Sequence, residues 1–389
     1  MLKTQTPVVY SPGYFIRQRL LQNKPAMAGL AFIALATVVA LLGYLIVPDD
    51  SPDANSTIVQ LQKKAPGFSV AVLRIPVAGQ EQARVGVVQK MLFGQPRAYS
   101  EFPIQGYSLA GDQLRVQPYE VQTALPEPDP VFSLQALTGL SDPRQARDYL
   151  EKELLYRKTF WLGTDNAGRD VLSRLMLGTR ISLSIGLVAV LISVALGIVV
   201  GAIAGYFGGM ADKAMMFVMT VVWSVPGIML VIAITLALAS PGIWVSFVAV
   251  GLTMWVDVAR VVRGQFLSLK EKTYIEAAKV LGLPRYRIVW KHILPNMSGS
   301  LIVIATANFA SAILMEAGLS FLGLGVQPPS PSWGMMVNEG FQLVGARSSL
   351  FLVLCPSLCI SLLVLSFNLL GNGLRDAYDP KILLTHSTS

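Results

Sequence analysis

Thr273 to Asn296 reads TYIEAAKVLGLPRYRIVWKHILPN. It is a long, charged, distinctive segment in an otherwise apolar second half of the chain. Helix-forming residues run from Tyr274 to Leu281, and Gly282 stands where a helix stops. Leu283-Pro284 makes a turn, because a proline disfavours helical geometry in the residue before it. A second short helix fits Arg285 to Leu294 and stops against Pro295-Asn296. Neither helix is long or apolar enough to cross a bilayer. The pair forms a compact knob hung between apolar runs. Ala277 and Ala278 leave one face almost bare, so another protein surface can approach closely. Lys279, Arg285, Arg287 and Lys291 make its surroundings basic.

Composition sets the class around that knob. The 389 residues are 53% hydrophobic and 14% charged, with a mean hydropathy of +0.55. The apolar residues fall in long uncharged runs, which predicts an α-helical integral membrane protein. The net charge of +8 sits beside those runs, as on the cytoplasmic side of a membrane protein, and does not indicate nucleic acid. Cys355 and Cys359 share one apolar run at i, i+4 and are expected to be buried and unpaired. With only His292 and His386, no histidine metal site is expected.

Residues 1–25 are polar and basic, carrying Lys3, Arg17, Arg19 and Lys24 without an acid. Residues 26–47 form the first span, an uncleaved anchor with its basic end in the cytoplasm. The run is too long for a signal peptide's apolar core, and Pro48-Asp49-Asp50 offers no cleavage site. Residues 48–160, roughly 110 in all, are nearly balanced, with 12 basic against 13 acidic side chains. Ser69 to Ile75 and Arg84 to Val88 read as strands, and Phe102 to Val116 as a hairpin around Ala110-Gly111-Asp112. Pro126 to Pro130 reads as a stiff linker, and Pro143 to Lys158 as a helix capped by Ser141 or Asp142. The expectation is a small, mainly β extracytoplasmic insert between spans one and two, against disorder as the competing reading.

Asp165 and Asp170 invite a catalytic reading. The plainer one is an interfacial elbow in which Asp170, Arg169 and Arg174 pair or cap the helix start. Residues 181–211 are uncharged and give span two. Gly197, Gly201 and Gly205 put three bare patches on one face for a neighbouring helix, and Tyr206 to Gly209 turns the chain back. Residues 214–256 are uncharged over twice one span, so they fold back at Ala239-Ser240-Pro241-Gly242 as spans three and four. Pro226 kinks span three. Span four ends with Arg260 and Arg263, able to reach cytoplasmic headgroups. Span five runs from about Met297 to Leu324 and holds Glu316. An acid inside a span is a functional hypothesis by default, here a structural or gating hydrogen bond ahead of substrate contact. Gln327 to Gly334 is a stiff outer loop with Trp333 as an interfacial anchor. Residues 335–349 make a short helix, span six covers Ser349 to Leu370, and residues 372–389 form a cytoplasmic tail. Spans two to six with the knob, residues 161–371, form the core.

Glu276-Ala277-Ala278, Gly282 four residues later, Ile288 and His292-Ile293-Leu294-Pro295-Asn296 together resemble the EAA loop of ABC importer permeases. In detail they resemble the second permease subunit of the dipeptide/oligopeptide/nickel branch. Asn23 to Leu30, Phe160 to Asp170 and Gly371 to Pro380 are similar to other family segments. The likeness covers about residues 15–47 and 160–381 and leaves out the insert, which is longer than the family's usual connection. The resemblance implies a coupling loop over 271–296 that docks on an ABC ATPase through Tyr274, Glu276, Ala277, Ala278, Gly282, Leu283 and Pro284. Arg263, His292, Pro295 and Asn296 would support it. The family usually carries an arginine and an aspartate near the start of span three. Those places align with Phe217 and Thr220, so no ion pair is expected there.

No Gly-x-x-x-x-Gly-Lys-Ser/Thr loop is present, so the chain does not hold ATP by that route. The resemblance therefore implies ATP and Mg in partner subunits and no cofactor in this chain. It also implies a second permease, an extracytoplasmic solute-binding protein, a bacterial inner-membrane location and both termini in the cytoplasm. Four crossings from a cytoplasmic N-terminus return the knob to the side where an ATPase would sit. Peptide is the expected cargo, with nickel or another small solute as the alternative. Two rival classes are a proton-driven transporter using Glu316 and a membrane enzyme or receptor working through the insert.

Overall fold

The computed structural model describes residues 12–77, 85–119, 129–240, 242–343, 345 and 350–378. The chain opens with α1 (Pro12–Gln22) and α2 (Lys24–Leu42), the latter extended by a 3-10 turn to Leu45. The insert follows: β1 (Phe68–Pro76), α3 (Val87–Phe93), β2 (Tyr99–Ala110), β3 (Gln113–Pro118), β4 (Val131–Ser133), α4 (Leu134–Thr138), α5 (Pro143–Tyr149) and β5 (Leu155–Phe160). Then come α6 (Val171–Phe207), α7 (Gly209–Trp223), α8 (Gly227–Leu238) and α9 (Ile243–Leu269). The knob holds α10 (Thr273–Val280) and α11 (Arg285–Ile288), and α12 (Leu294–Phe321), α13 (Trp333–Phe341) and α14 (Leu350–Tyr378) complete the described chain. Among the described residues, five helices are long and apolar enough to cross a membrane, or six if α7 and α8, bent by 90°, count as one broken span. The break falls at Ser224 to Pro226, where the proline expected to kink the span lies. Pro241, residues 126–128 of the expected linker, and Ser349 with the last residues of the tail lie outside the described residues.

The chain divides into two compact units. One comprises the described parts of Met1–Thr37, Ser182–Gln327 and Leu358–Ser389. Here the glycine stripe of α6 does what its spacing predicts. A Cβ on Gly201 would lie 2.5 Å from the Ala259 carbonyl oxygen and 2.7 Å from Val262 Cβ, so only glycine lets α6 and α9 meet this closely. Val231 of α8, Ala249, Val250 and Met254 of α9, and Ala312 and Leu319 of α12 form an adjoining apolar cluster. Phe309 of α12 stacks on Phe367 of α14, ring centroids 4.0 Å apart.

The other unit comprises Val38–Ile181 and Pro328–Ser357. Its centre is a five-stranded antiparallel sheet, order β4-β3-β2-β1-β5. Alternation along the strands fills two faces. Leu73, Ile104, Leu114 and Val116 pack under α4 and α5, and Val70, Val72 and Phe160 pack with Ile58 and Leu61. The hairpin turns at Gly111-Asp112, with Gly111 at φ +63°.

Several expectations change. Val87 and Val88 begin α3 instead of continuing a strand. The helix expected to reach Lys158 ends sooner, and Leu155 to Phe160 form β5, paired with β1. Asp142, not Ser141, caps α5, accepting from the Arg144 amide at 3.0 Å. Trp333 is no surface anchor: it is buried, with its Nε1 donating to the Leu175 carbonyl at 2.9 Å. Residues 372–378, expected in the tail, continue α14 as helix. Cys355 and Cys359 are half-buried rather than buried.

Candidate functional site

The knob is built from the bottom by one turn. Gly282 holds φ +74°, a conformation that costs other residues about 1–2 kcal/mol. Its amide donates to the Lys279 carbonyl at 3.0 Å, and the next amide, of Leu283, donates to Ala278 at 3.1 Å. That pair of bonds ends α10 and reverses the chain. Pro284 then opens α11, its carbonyl accepting from Arg287 and Ile288. Ile275, Ala278, Ile288 and Ile293 bury themselves against Val258, Val262 and Phe266 of α9, with Leu283 packed alongside.

This seating decides which residues face out. Ala278, expected on the bare face, is buried inward. Tyr274, Glu276, Ala277, Gly282 and Pro284 are exposed. So are Val280 at 88% and Leu281 at 79%, an apolar cap at the end of α10, and, further along, Trp290 at 70%. His292 is half-buried, its carbonyl accepting from Asn296 Nδ2 at 2.6 Å, and Pro295 and Asn296 are exposed. Pro295 does not stop the second helix. α11 runs through a π-helical turn at Val289–Ile293 into α12, with Pro295 in the first turn of α12. The wider turn accommodates the missing proline amide. The knob therefore continues directly into the fifth span.

Below the knob, Arg263 Nε donates to Asp212 Oδ1 at 2.5 Å and Nη2 to Oδ2 at 2.7 Å. An ion pair therefore does stand near the start of the third span. It is made by Asp212, not by the aligned positions Phe217 and Thr220. Arg260, instead of reaching headgroups, lies 4.4 Å over the Trp223 ring. Sequence reasoning passed over Asp212, although it is the only acid between Asp170 and Asp257.

Glu316 is fully buried, and Ser320 Oγ donates to its Oε1 at 2.7 Å while accepting from the Val326 amide at 3.2 Å. This relay ties the end of α12 to the turn that follows.

The elbow holds the other charge cluster. Asp165 accepts from Arg169 Nε at 2.7 Å and from Arg174 Nη1 at 3.0 Å. Arg169 Nη2 reaches both oxygens of Glu339 on α13 at 3.0 Å. Asp170 accepts from the Ser173 amide at 2.8 Å and so caps α6. Burial pushes the Glu339 carboxyl upward against the pull of Arg169. Every one of these acids has a structural task. Glu339 had no local signal, being 170 residues from Arg169.

Several helices long and apolar enough to cross a membrane, with a short two-helix knob between two of them, define a polytopic membrane protein. The chain belongs to the family of binding-protein-dependent transport system inner membrane components, whose model matches residues 197–384. A second model, the N-terminal TM domain of oligopeptide transport permease C, matches residues 11–66. The glutathione transport system permease protein GsiD of Pectobacterium atrosepticum is 42% identical over 247 residues, covering 62% of this chain and 80% of its own. The dipeptide transport system permease protein DppC of Bacillus subtilis is 43% identical over 224 residues, 57% and 69% of the two chains. A solved inward-facing structure of the MetNI methionine ABC transporter covers 53% of this chain and 96% of its own at 18% identity and TM-score 0.44. At that level of likeness nothing further follows from it.

Proposed function

We propose that this chain is the second permease subunit of an ATP-driven importer of di- or oligopeptides. It shares the translocation route with a companion permease and takes cargo from an extracytoplasmic binding protein. ATP and Mg are held by separate ATPase subunits, which dock on the α10 knob through Tyr274, Glu276, Ala277, Val280 and Leu281. Both termini lie in the cytoplasm. The observation that carries this reading is the knob's exposed apolar cap, set on a buried base continuous with a membrane span. A solvated loop would have no reason to expose Val280 and Leu281 while fixing their position with a glycine turn. The names of the relatives, one for dipeptide and one for glutathione, support peptide cargo. ATP binding would close the ATPase pair, move the knobs and switch the spans between outward and inward openings.

The test is ATP-dependent peptide uptake by the reconstituted complex, with Gly282→Pro and Glu276→Arg compared with the parent. Both variants should insert in the membrane and lose uptake. Normal uptake by both would refute the docking role, and uptake that survives ATP depletion would refute the ATP-driven class.

A further inference from the structure

We propose that α3 is a membrane-interface helix whose apolar side lies in the lipid leaflet on the insert's side of the bilayer. None of its seven residues is buried. Val87 is 72% and Val88 65% exposed on one face with Leu92, and Phe93, at the helix's last position, is exposed as well. Neither apolar core of the insert includes any residue of this helix. Its charged residue, Lys90, turns away to Asp50 at 2.7 Å.

What covers this face follows from the depth at which α3 is held. Arg180 of the second span donates from Nη1 to the Leu92 carbonyl at 2.9 Å and from Nη2 to Met91 at 2.8 Å. The same guanidinium donates from Nε to the Ala40 carbonyl at 2.9 Å. Ala40 lies within the first candidate span, Lys24–Leu45. One arginine thus ties the end of α3 to a level inside that span. Gly43, at φ +40°, permits the approach, since a Cβ there would collide with the Arg180 guanidinium. Leu41, Leu42 and Leu45 are exposed on the span itself, and Ile46 just past its end. The apolar side of α3 therefore continues a lipid-facing belt at its own depth. Such a short helix, apolar outward and charged inward, rests in the interface without crossing it. Arg180 sits where a long basic side chain is expected to mark that boundary.

The test uses the full chain in proteoliposomes, with Cys355→Ala and Cys359→Ala removing the native thiols. Val88→Cys or Phe93→Cys carries an environment-sensitive fluorophore, and Val131→Cys on β4, also exposed, serves as the aqueous reference. Spin-labelled phospholipid should remove most of the emission at 88 and 93 and little at 131, while aqueous iodide should do the reverse. Iodide quenching at 88 and 93 would overturn the proposal. Protection from both quenchers would also overturn it, because a protein would then occupy the face. If one variant fails to reconstitute, Val87→Cys or Leu92→Cys on the same helix gives the same readout.

Discussion

Arg263 on α9 grips both carboxylate oxygens of Asp212 on α7, at 2.5 and 2.7 Å. The two residues are 51 apart in sequence, and their pairing fixes the start of the broken span against the helix that seats the knob. A forked pair of this kind is specific to arginine. Arg263→Lys is expected to lower ATP-coupled uptake and to cost about 1 kcal/mol of stability, as partly exposed pairs do. The exchange Asp212→Arg with Arg263→Asp should recover part of both. Detergent thermal unfolding and uptake together check this, and wild-type uptake by Arg263→Lys would count against a positioning role.

Val280→Asp and Leu281→Asp change exposed side chains, so folding should shift by no more than about 0.5 kcal/mol. If the cap docks on an ATPase, each change removes an anchor from the centre of that interface. Loss of about 2 kcal/mol or more is usual there, roughly a thirtyfold weaker complex. Co-purification under mild detergent measures the loss. Retention of the ATPase by both variants would move the docking surface elsewhere.

Glu316→Gln keeps an oxygen that can accept from Ser320 Oγ. Glu316→Leu leaves that hydroxyl to find another acceptor in a buried site, at about 1–3 kcal/mol. Uptake should therefore survive in Glu316→Gln and fall in Glu316→Leu. A proton relay makes the opposite demand, since glutamine cannot carry the proton. Uptake abolished by Glu316→Gln would revive the proton-driven class.

Glu101, in the insert, accepts from Lys158 Nζ at 2.5 Å, Tyr156 Oη at 2.6 Å and Arg97 Nη1 at 2.8 Å. Burial alone would raise its carboxyl, but Lys158 and Arg97 outweigh that and hold it below its ordinary 4.5. Its stabilising contribution is thus complete above that value and is withdrawn as pH falls toward the folded value. Glu101→Gln should lower stability at neutral pH by about 3–5 kcal/mol, as for one partner removed from a buried pair. It should also flatten the acid limb of a melting-temperature profile. An unchanged acid limb would show that the carboxyl is not ionised in the fold.

The sequence exposed periodic and punctuated features and hid the contacts between distant elements. Gly197, Gly201 and Gly205 announced a close helix contact because their spacing alone defines a face. Gly282 and Pro284 announced the knob's turn because each fixes its own backbone. Pro295 misled because a π turn just before it absorbs what a regular helix could not. Val87 and Val88 misled because β-branched residues favour strands only when a sheet edge is there to receive them. Ala278 pointed inward because its face meets the cluster of Val258, Val262 and Phe266 on α9, which is set by tertiary packing. The link from Arg169 to Glu339 crosses most of the core and leaves no local trace. Neither family match reaches residues 67–196, so the insert had to be read from its own strands.

The π turn at Val289–Ile293 has a mechanical consequence. Because the helix does not stop at Pro295, Arg285–Phe321 is a single rod of 37 residues, about 55 Å long. A push at the knob end of this rod would be carried toward the other end, where Glu316 and Ser320 hold the turn to Val326. With a flexible hinge in that place, the same push would dissipate as local bending before it reached the far side of the bilayer.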